Sequence, residues 1–307
     1  MKSWAGCEKP VHNHPPHEVA IVGAGPAGLA AAMQLRRYGL NPLVFEGSRV
    51  GGLLWNANLV ENYPGFPSGL PGPALVRLFK RQADRLGVHI TADLVTNILW
   101  EDGLFRLQAS QGTFSARHLV LAMGTRPLPF TTLQIPPVLH DRVLYEVHSI
   151  LDLSGKSIAI VGAGDAAFDY ALNLSRKNQV TILNRGGRIK CLPLLEERVA
   201  LSPNIRYYSN TALVGIGSAS AGELQLDCLS PTGSLSMSAD YLVGALGREP
   251  RLDCLPAVFR QKSRLLVQRK LLYFVGDIKN GMFRQISIAV GDGLQAAMGI
   301  HHRLSAS

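Results

Sequence analysis

Two stretches of the chain repeat the same order of apolar and polar positions. Residues 19–35 (VAIVGAGPAGLAAAMQL) and 158–174 (IAIVGAGDAAFDYALNL) are identical at nine of 17 aligned positions, at an offset of 139. Each starts as an apolar run, passes through a glycine turn and continues with apolar residues at helical spacing. In the first copy, Val19–Val22 reads as a buried parallel strand, while Leu29, Met33 and Leu35 fall on a helix. The next apolar run, Leu43–Glu46, predicts a second strand; its counterpart after the second copy is Val180–Leu183. A strand–turn–helix unit used twice predicts an α/β protein, since a solenoid needs three or more repeats. A further pattern over Gly72–Leu86 predicts an amphipathic helix with Arg77, Lys80, Arg81 and Arg85 on one face. No apolar run approaches the ~18 residues of a membrane span.

The glycines give the repeat its chemistry. Gly23, Gly25 and Gly28 form GxGxxG between a strand and a helix. The first allows a tight turn, the second lets backbone approach a pyrophosphate, and the third lets helix pack on strand. The pyrophosphate then meets free N–H groups and the positive dipole end at the helix N-terminus. Glu46 stands 18 residues beyond Gly28, near the ~20 expected of the acid that binds a ribose hydroxyl. The second copy has Gly162, Gly164 and Ala167, but Asn184 ends its next strand in place of an acid, and Arg185, Arg188 and Lys190 follow. Basic residues there accommodate a 2′-phosphate, so this site is expected to take NADPH. The architecture expected is two Rossmann-like dinucleotide-binding domains, one for a flavin dinucleotide that stays and one for a nicotinamide dinucleotide that comes and goes.

Length and composition narrow the class. At 307 residues, 47% hydrophobic and 17% charged, the chain buries a sizeable core and is not disordered. Its four cysteines, Cys7, Cys191, Cys228 and Cys254, form no CxxC, which excludes a disulfide scaffold, a local zinc knuckle and a CxxC redox pair; no metal site is expected. The start lacks an apolar core for a secretory signal, so a cytoplasmic protein is expected, with residues 1–17 (His12, His14 and His17 among them) as a flexible tail. The net charge of +9 points to acidic partners; without a recognition motif it does not point to nucleic acid.

From Glu18 to His302 the chain resembles the thioredoxin reductase-like flavoproteins. The motifs that carry the resemblance are Gly51-Gly52, Val60-Glu61-Asn62-Tyr63-Pro64-Gly65-Phe66, Ala122-Met123-Gly124-Thr125-Arg126-Pro127, Leu246-Gly247-Arg248-Glu249-Pro250, Phe274-Val275-Gly276-Asp277, Arg284-Gln285 and Gly291-Asp292-Gly293. The resemblance implies a discontinuous FAD domain (18–128 and 245–307) with an NADPH domain (129–244) inserted, the two crossings near Pro127 and Gly247 forming a hinge. It implies FAD on Gly23, Gly25, Pro26, Ala27 and Glu46, on Gly52, Leu53 and Asn62, on Gly124 and Thr125, and on Gly276, Asp277, Arg284, Gln285 and Ile286. NADPH would lie on Gly162, Gly164, Asp165 and Ala166 with Asn184, Arg185 and Lys190. A homodimer is implied as well.

The chain departs from that family at one place that matters. Glu146-Val147-His148-Ser149 stands where a thioredoxin reductase has Cys-x-x-Cys. Without two thiols, dithiol exchange by the usual relay is closed. The stretch Tyr145–Ser175 looks more like the ferredoxin/flavodoxin–NADP reductases of thioredoxin reductase type, which lack the dithiol. Arg284-Gln285 is kept as in thioredoxin reductases, and the chain ends at Ser307 without that branch's aromatic extension, a mixed pattern. The expected enzyme moves hydride from NADPH to the flavin and electrons on to a protein acceptor: ferredoxin, flavodoxin or an iron–sulfur enzyme such as a radical-SAM enzyme of lipoate assembly. The alternatives are a disulfide or quinone reductase without its own dithiol, and a non-enzymatic flavin-binding module. Chemistry centres on the flavin, with Glu146 and His148 as the candidate proton donors. Arg260, Lys262, Arg264, Arg269 and Lys270 join the helix 72–86 cations as candidate contacts for an acidic carrier.

Overall fold

The computed structural model describes residues 15–219 and 222–306; His12 and His14 fall outside them. The chain divides into two compact units, one of residues up to 54, 74–125 and 250 onward, the other of 55–73 and 126–249.

The first unit is built on a sheet whose spatial order is Ile90–Ala92, Leu43–Glu46, His17–Val22, Gly112–Leu121, Leu104–Ala109, Asn97–Glu101, with Leu272–Phe274 also pairing Gly112–Leu121. The first four strands run parallel, and Val22 pairs with both Phe45 and Leu121, so their C-terminal ends are level. Val19–Val22 is buried throughout, which is why its sequence is apolar at every position rather than alternating. The strand starts at His17, inside the expected tail, because His17 pairs with Ala116. The last three strands form an antiparallel meander. Helix Ala257–Gln268 seats Phe259 and Leu266 in the same cluster as Ile98, Phe105 and Leu107 of that meander. Helix Pro26–Arg37 packs on the C-terminal helix Ile286–Ser305 at a glycine: a Cβ on Gly293 would lie 2.1 Å from the Ala27 carbonyl oxygen.

The second unit holds a five-stranded parallel sheet, ordered Ile205–Tyr208, Gln179–Leu183, Ser157–Val161, Tyr241–Gly244, Val143–Leu144. Helix Asp165–Leu174 buries Phe168, Ala171 and Leu174 against Ile158, Ile160 and Ile182. A separate antiparallel sheet of Ala212–Ser218, Leu224–Ser230 and Gly233–Ala239 buries Leu224 and Leu226 with Ala159 and Leu242. The chain passes between the units four times, and the strands at two of those crossings, Thr125–Pro127 and Arg248–Pro250, pair with one another. The architecture is a mixed α/β fold of two Rossmann-like units.

Residues 55–73, given to the first domain by the sequence boundaries, group with the second unit. The physical reason is a row of side-chain bonds. Asn56 Oδ1 accepts from the Val147 and His148 amides, the Asn58 amide donates to Asp169 at 2.9 Å, and Arg198 grips both oxygens of Glu61 at 2.6 and 2.9 Å. Among the described residues no helix is long and apolar enough to cross a membrane, and no cluster of three metal-ligating side chains occurs.

Candidate functional site

The first glycine turn is the meeting point of four segments of the first unit. A Cβ on Gly28 would lie 1.9 Å from the Gly23 carbonyl oxygen, and one on Gly23 would lie 2.4 Å from that of Ala122. Gly23 also has a left-handed φ of 104°. Gly51 N donates to Ala24 O at 2.9 Å, placing Gly51 and Gly52 beside the turn. A Cβ on Gly276 would lie 2.9 Å from that of Ala27 and 3.6 Å from that of Ala289, which brings Gly276 and the first turns of both helices together. Around Gly25 and Gly124, by contrast, an added Cβ meets nothing within 4 Å. Tight glycines thus support the turn while open ones expose backbone at its surface. The helix Pro26–Arg37 has no side-chain cap and no acid in its first turn, so its leading N–H groups remain available to an anion. This donor set fits a dinucleotide pyrophosphate.

Glu46 lies where the spacing placed it and also shapes the turn. Its Oε2 accepts from Ala24 N at 2.8 Å and its Oε1 from Ser48 N at 2.9 Å. Each oxygen keeps a lone pair for a ribose hydroxyl. Asp292 has a role that its motif alone did not reveal. Its Oδ2 accepts from Gly276 N (3.0 Å) and Asn280 Nδ2 (2.7 Å), and Lys279 Nζ sits 2.8 Å from Oδ1, so it fixes the loop that carries Asp277. Thr125 is buried, Leu53 and Arg284 half-buried, and Gln285 stands at the N-cap position of the helix that Ile286 opens, without a side-chain capping bond. Asn62 belongs to the second unit with residues 55–73.

The second glycine turn repeats the geometry. A Cβ on Gly162 would lie 2.6 Å from the Ala245 carbonyl oxygen, whereas one on Gly164 meets nothing. The segment after the next strand folds back over it: Lys190 N donates to Ala163 O at 2.8 Å and Leu192 N to Asp165 Oδ1 at 2.8 Å. Ala166 is exposed at the helix start. Arg185, Arg188 and Lys190 are exposed and have no ion pair among the described residues. Asn184, expected among the NADPH-binding residues, is 6% exposed, its side chain taken up by its own loop and Tyr207.

At the position of the missing dithiol, Glu146 is held by its neighbours. Its Oε1 accepts from an Arg248 Nη at 2.8 Å and its Oε2 from Asn56 Nδ2 at 3.3 Å, with His148 Nδ1 3.8 Å away. Asn56, 2% exposed, was not singled out by sequence; an asparagine outside any motif carries no signal of its own. Among the described residues no cysteine substitutes for the pair. Cys228 and Cys254 are buried, and burial raises both thiols, Cys254 to about 11; burial also raises Cys191. Cys254 Sγ contacts Met123 Sδ at 3.2 Å rather than another thiol.

Beside this cluster, burial pushes the Asp169 carboxyl up to about 6, against the lowering effect of the Asn58 and Leu59 amides. Below pH 4 the carboxyl is protonated in both folded and unfolded states. Between about 4 and 6 the unfolded state ionises first, so folding stability is lost as pH rises through that window, by on the order of 3 kcal/mol. Urea unfolding of wild type and Asp169→Asn at pH 4.5 and 7 is expected to show this slope flattened in the variant. An equal slope in both would show that Asp169 is not its source.

The cationic faces are solvated. Arg77, Lys80, Arg81 and Arg85 are exposed on helix Gly72–Arg85, opposite buried Leu75, Val76, Phe79 and Ala83, and Lys80 pairs with Asp84 at 2.8 Å. Arg260, Lys262, Arg264, Arg269 and Lys270 are exposed without an ion pair among the described residues.

Comparison with known proteins gives a consistent picture. The profile of the pyridine nucleotide-disulphide oxidoreductases matches residues 17–293. The bifunctional thioredoxin reductase/thioredoxin of Mycobacterium leprae is 31% identical over 92% of the chain, which spans only 64% of that relative's length. The thioredoxin reductase of Streptomyces coelicolor is 30% identical over 91% of each chain. Among solved structures, T. acidophilum thioredoxin reductase aligns with a TM-score of 0.83 at 25% identity, covering 95% of this chain and 99% of its own.

Proposed function

Because the chain belongs to the pyridine nucleotide-disulphide oxidoreductase family, we propose that it is an FAD-dependent NADPH oxidoreductase that delivers electrons to an external acceptor with no dithiol of its own in between. The observation that carries this reading is the occupancy of the two thiol positions by Glu146 and Ser149, with Glu146 bound into a network with Arg248 and Asn56. Bound FAD supplies the isoalloxazine that accepts hydride and can release electrons singly or in pairs. The residues of this chain bind and orient. The turn Gly23–Gly28 and the N–H groups after it hold the flavin pyrophosphate, Glu46 the ribose, and Gly276–Asp277, steadied by Asp292, the ribityl side. Gly162–Gly164 holds the nicotinamide dinucleotide, with Arg185 and Lys190 on its 2′-phosphate. Glu146 accepts a hydrogen bond each from Arg248 and Asn56 and so holds the Arg248 guanidinium in place.

The acceptor assigned is an acidic electron-carrier or iron–sulfur protein such as ferredoxin or flavodoxin, supported by the unpaired cations of Arg260–Lys270, since complementary fields speed encounter. An external disulfide is the second reading, favoured by the names of the relatives. Exposed Ile288, Leu294 and Met298 on the C-terminal helix offer a surface for a second copy of the chain.

The test is a variant with all four cysteines replaced, mixed anaerobically as NADPH-reduced holoenzyme with each acceptor. Reoxidation by an iron–sulfur carrier within twofold of wild type is the expected result. A cysteine-less protein that is reduced by NADPH but no longer passes electrons on would overturn the direct route. Fast reoxidation by a disulfide alone would select the second reading.

A further inference from the structure

We infer that Asn184 is a positioning residue for coenzyme selection: together with Tyr207 it freezes the Arg185–Arg188 turn so that its guanidinium groups form a ready-made site for a 2′-phosphate. The inference rests on the NADPH reading above and deepens it. Strand Gln179–Leu183 delivers Asn184 to the C-terminal end of the sheet, where its main chain is already tied, N to Tyr208 O at 2.9 Å and O to Thr211 N at 2.8 Å. That leaves the side chain free to work on the loop. Oδ1 accepts from Gly186 N at 3.0 Å, and Nδ2 donates to Arg188 O at 3.1 Å and to Tyr207 Oη at 2.9 Å. Both Nδ2 hydrogens are used, so Asn184 has no donor left for a ribose.

The need for such a clamp follows from the loop sequence Arg185-Gly186-Gly187-Arg188. Two adjacent glycines between two arginines make the turn compact but also leave it the most conformational freedom to lose when a ligand orders it. Asn184 reaches both sides of the glycine pair, at 186 and at 188. Asn210 N holds the same turn from the neighbouring strand end by donating to Gly186 O at 3.0 Å. The ordering is therefore completed during folding rather than at binding, which is what pre-organisation contributes to affinity. A contact to the ribose 3′-hydroxyl, which both coenzymes carry, would serve NADH and NADPH alike, whereas a clamp on the arginines matters only to the coenzyme that carries the extra phosphate.

The FAD-loaded protein would be titrated calorimetrically with adenosine 2′,5′-bisphosphate and with ADP, and KM and kcat measured with NADPH and NADH. Asn184→Ala is expected to weaken adenosine 2′,5′-bisphosphate about tenfold and to raise KM for NADPH similarly, with ADP affinity, KM for NADH and both kcat values unchanged. Tyr207→Phe, which removes one partner and keeps the ring in its cluster, is expected to show the same selectivity at a few-fold. Equal losses for both coenzymes, or an unchanged ratio in both variants, would overturn the clamp while leaving the NADPH reading intact. A wild-type protein with no preference for the 2′-phosphorylated ligand would overturn both.

Discussion

Replacing Gly28 by valine is expected to cost the protein its first unit, not merely its cofactor. The new Cβ would sit 1.9 Å from the Gly23 carbonyl oxygen and 3.2 Å from the Ala122 side chain. The first neighbour is backbone of the turn that the helix starts from, so it cannot rotate away. Relief requires helix Pro26–Arg37 to lift off the sheet, which would also break its packing against the C-terminal helix at Gly293. Overpacking of this kind costs about 3 kcal/mol or more, equivalent to roughly 10 °C in Tm for a unit of this size. The control is Gly25→Leu, at a site of ordinary φ (−72°) where an added Cβ meets nothing. That variant is expected to keep the Tm of the apoprotein within about 1 °C and yet lose retention of FAD at least about tenfold, because its side chain fills the space a pyrophosphate needs. Thermal unfolding and the flavin absorbance of purified protein read the two effects separately. A yellow Gly25→Leu protein would remove the pyrophosphate from this turn.

The double variant Arg185→Ala/Lys190→Ala is expected to lower kcat/KM for NADPH by on the order of a hundredfold and to leave NADH within twofold. Charge-assisted hydrogen bonds contribute about 1.5–3 kcal/mol each, and every 1.4 kcal/mol is a factor of ten. Both side chains are exposed and without an ion pair among the described residues, so folding is expected to be unaffected by their removal. Steady-state kinetics with the two coenzymes at two ionic strengths check this. The wild-type preference is expected to shrink as salt rises, because exposed charges are screened. Equal losses with NADPH and NADH would place the 2′-phosphate elsewhere.

The glycine motifs were legible because their physics is local. A turn, a close approach and an open backbone each demand glycine at a fixed offset from a strand, and Gly23, Gly25, Gly28, Gly162 and Gly164 answer to those demands in order. Glu46 was found by spacing for the same reason. Asn56, Tyr207 and Asp292 were not legible as site residues. Asn56 acts on residues 90 positions away, and its effect depends on a pairing that no local pattern encodes. The sequence placed Asn184 at the strand end, in the position of an acid; its three side-chain bonds are what make it a support for the arginines beside it.

By itself, the order of residues determined that two strand–glycine–helix units exist, that each has an exposed backbone at its turn, that cations follow the second and that no CxxC is present. These depend on backbone sterics and charge over a few residues, which any fold containing the segment must respect. Only the tertiary structure decided that residues 55–73 join the second unit, that Glu146 is held by Asn56 and Arg248, and that Asp169 is buried enough to resist ionisation. Those outcomes arise from long-range contacts and desolvation, and both are set by what the rest of the chain packs around a residue rather than by the residue itself.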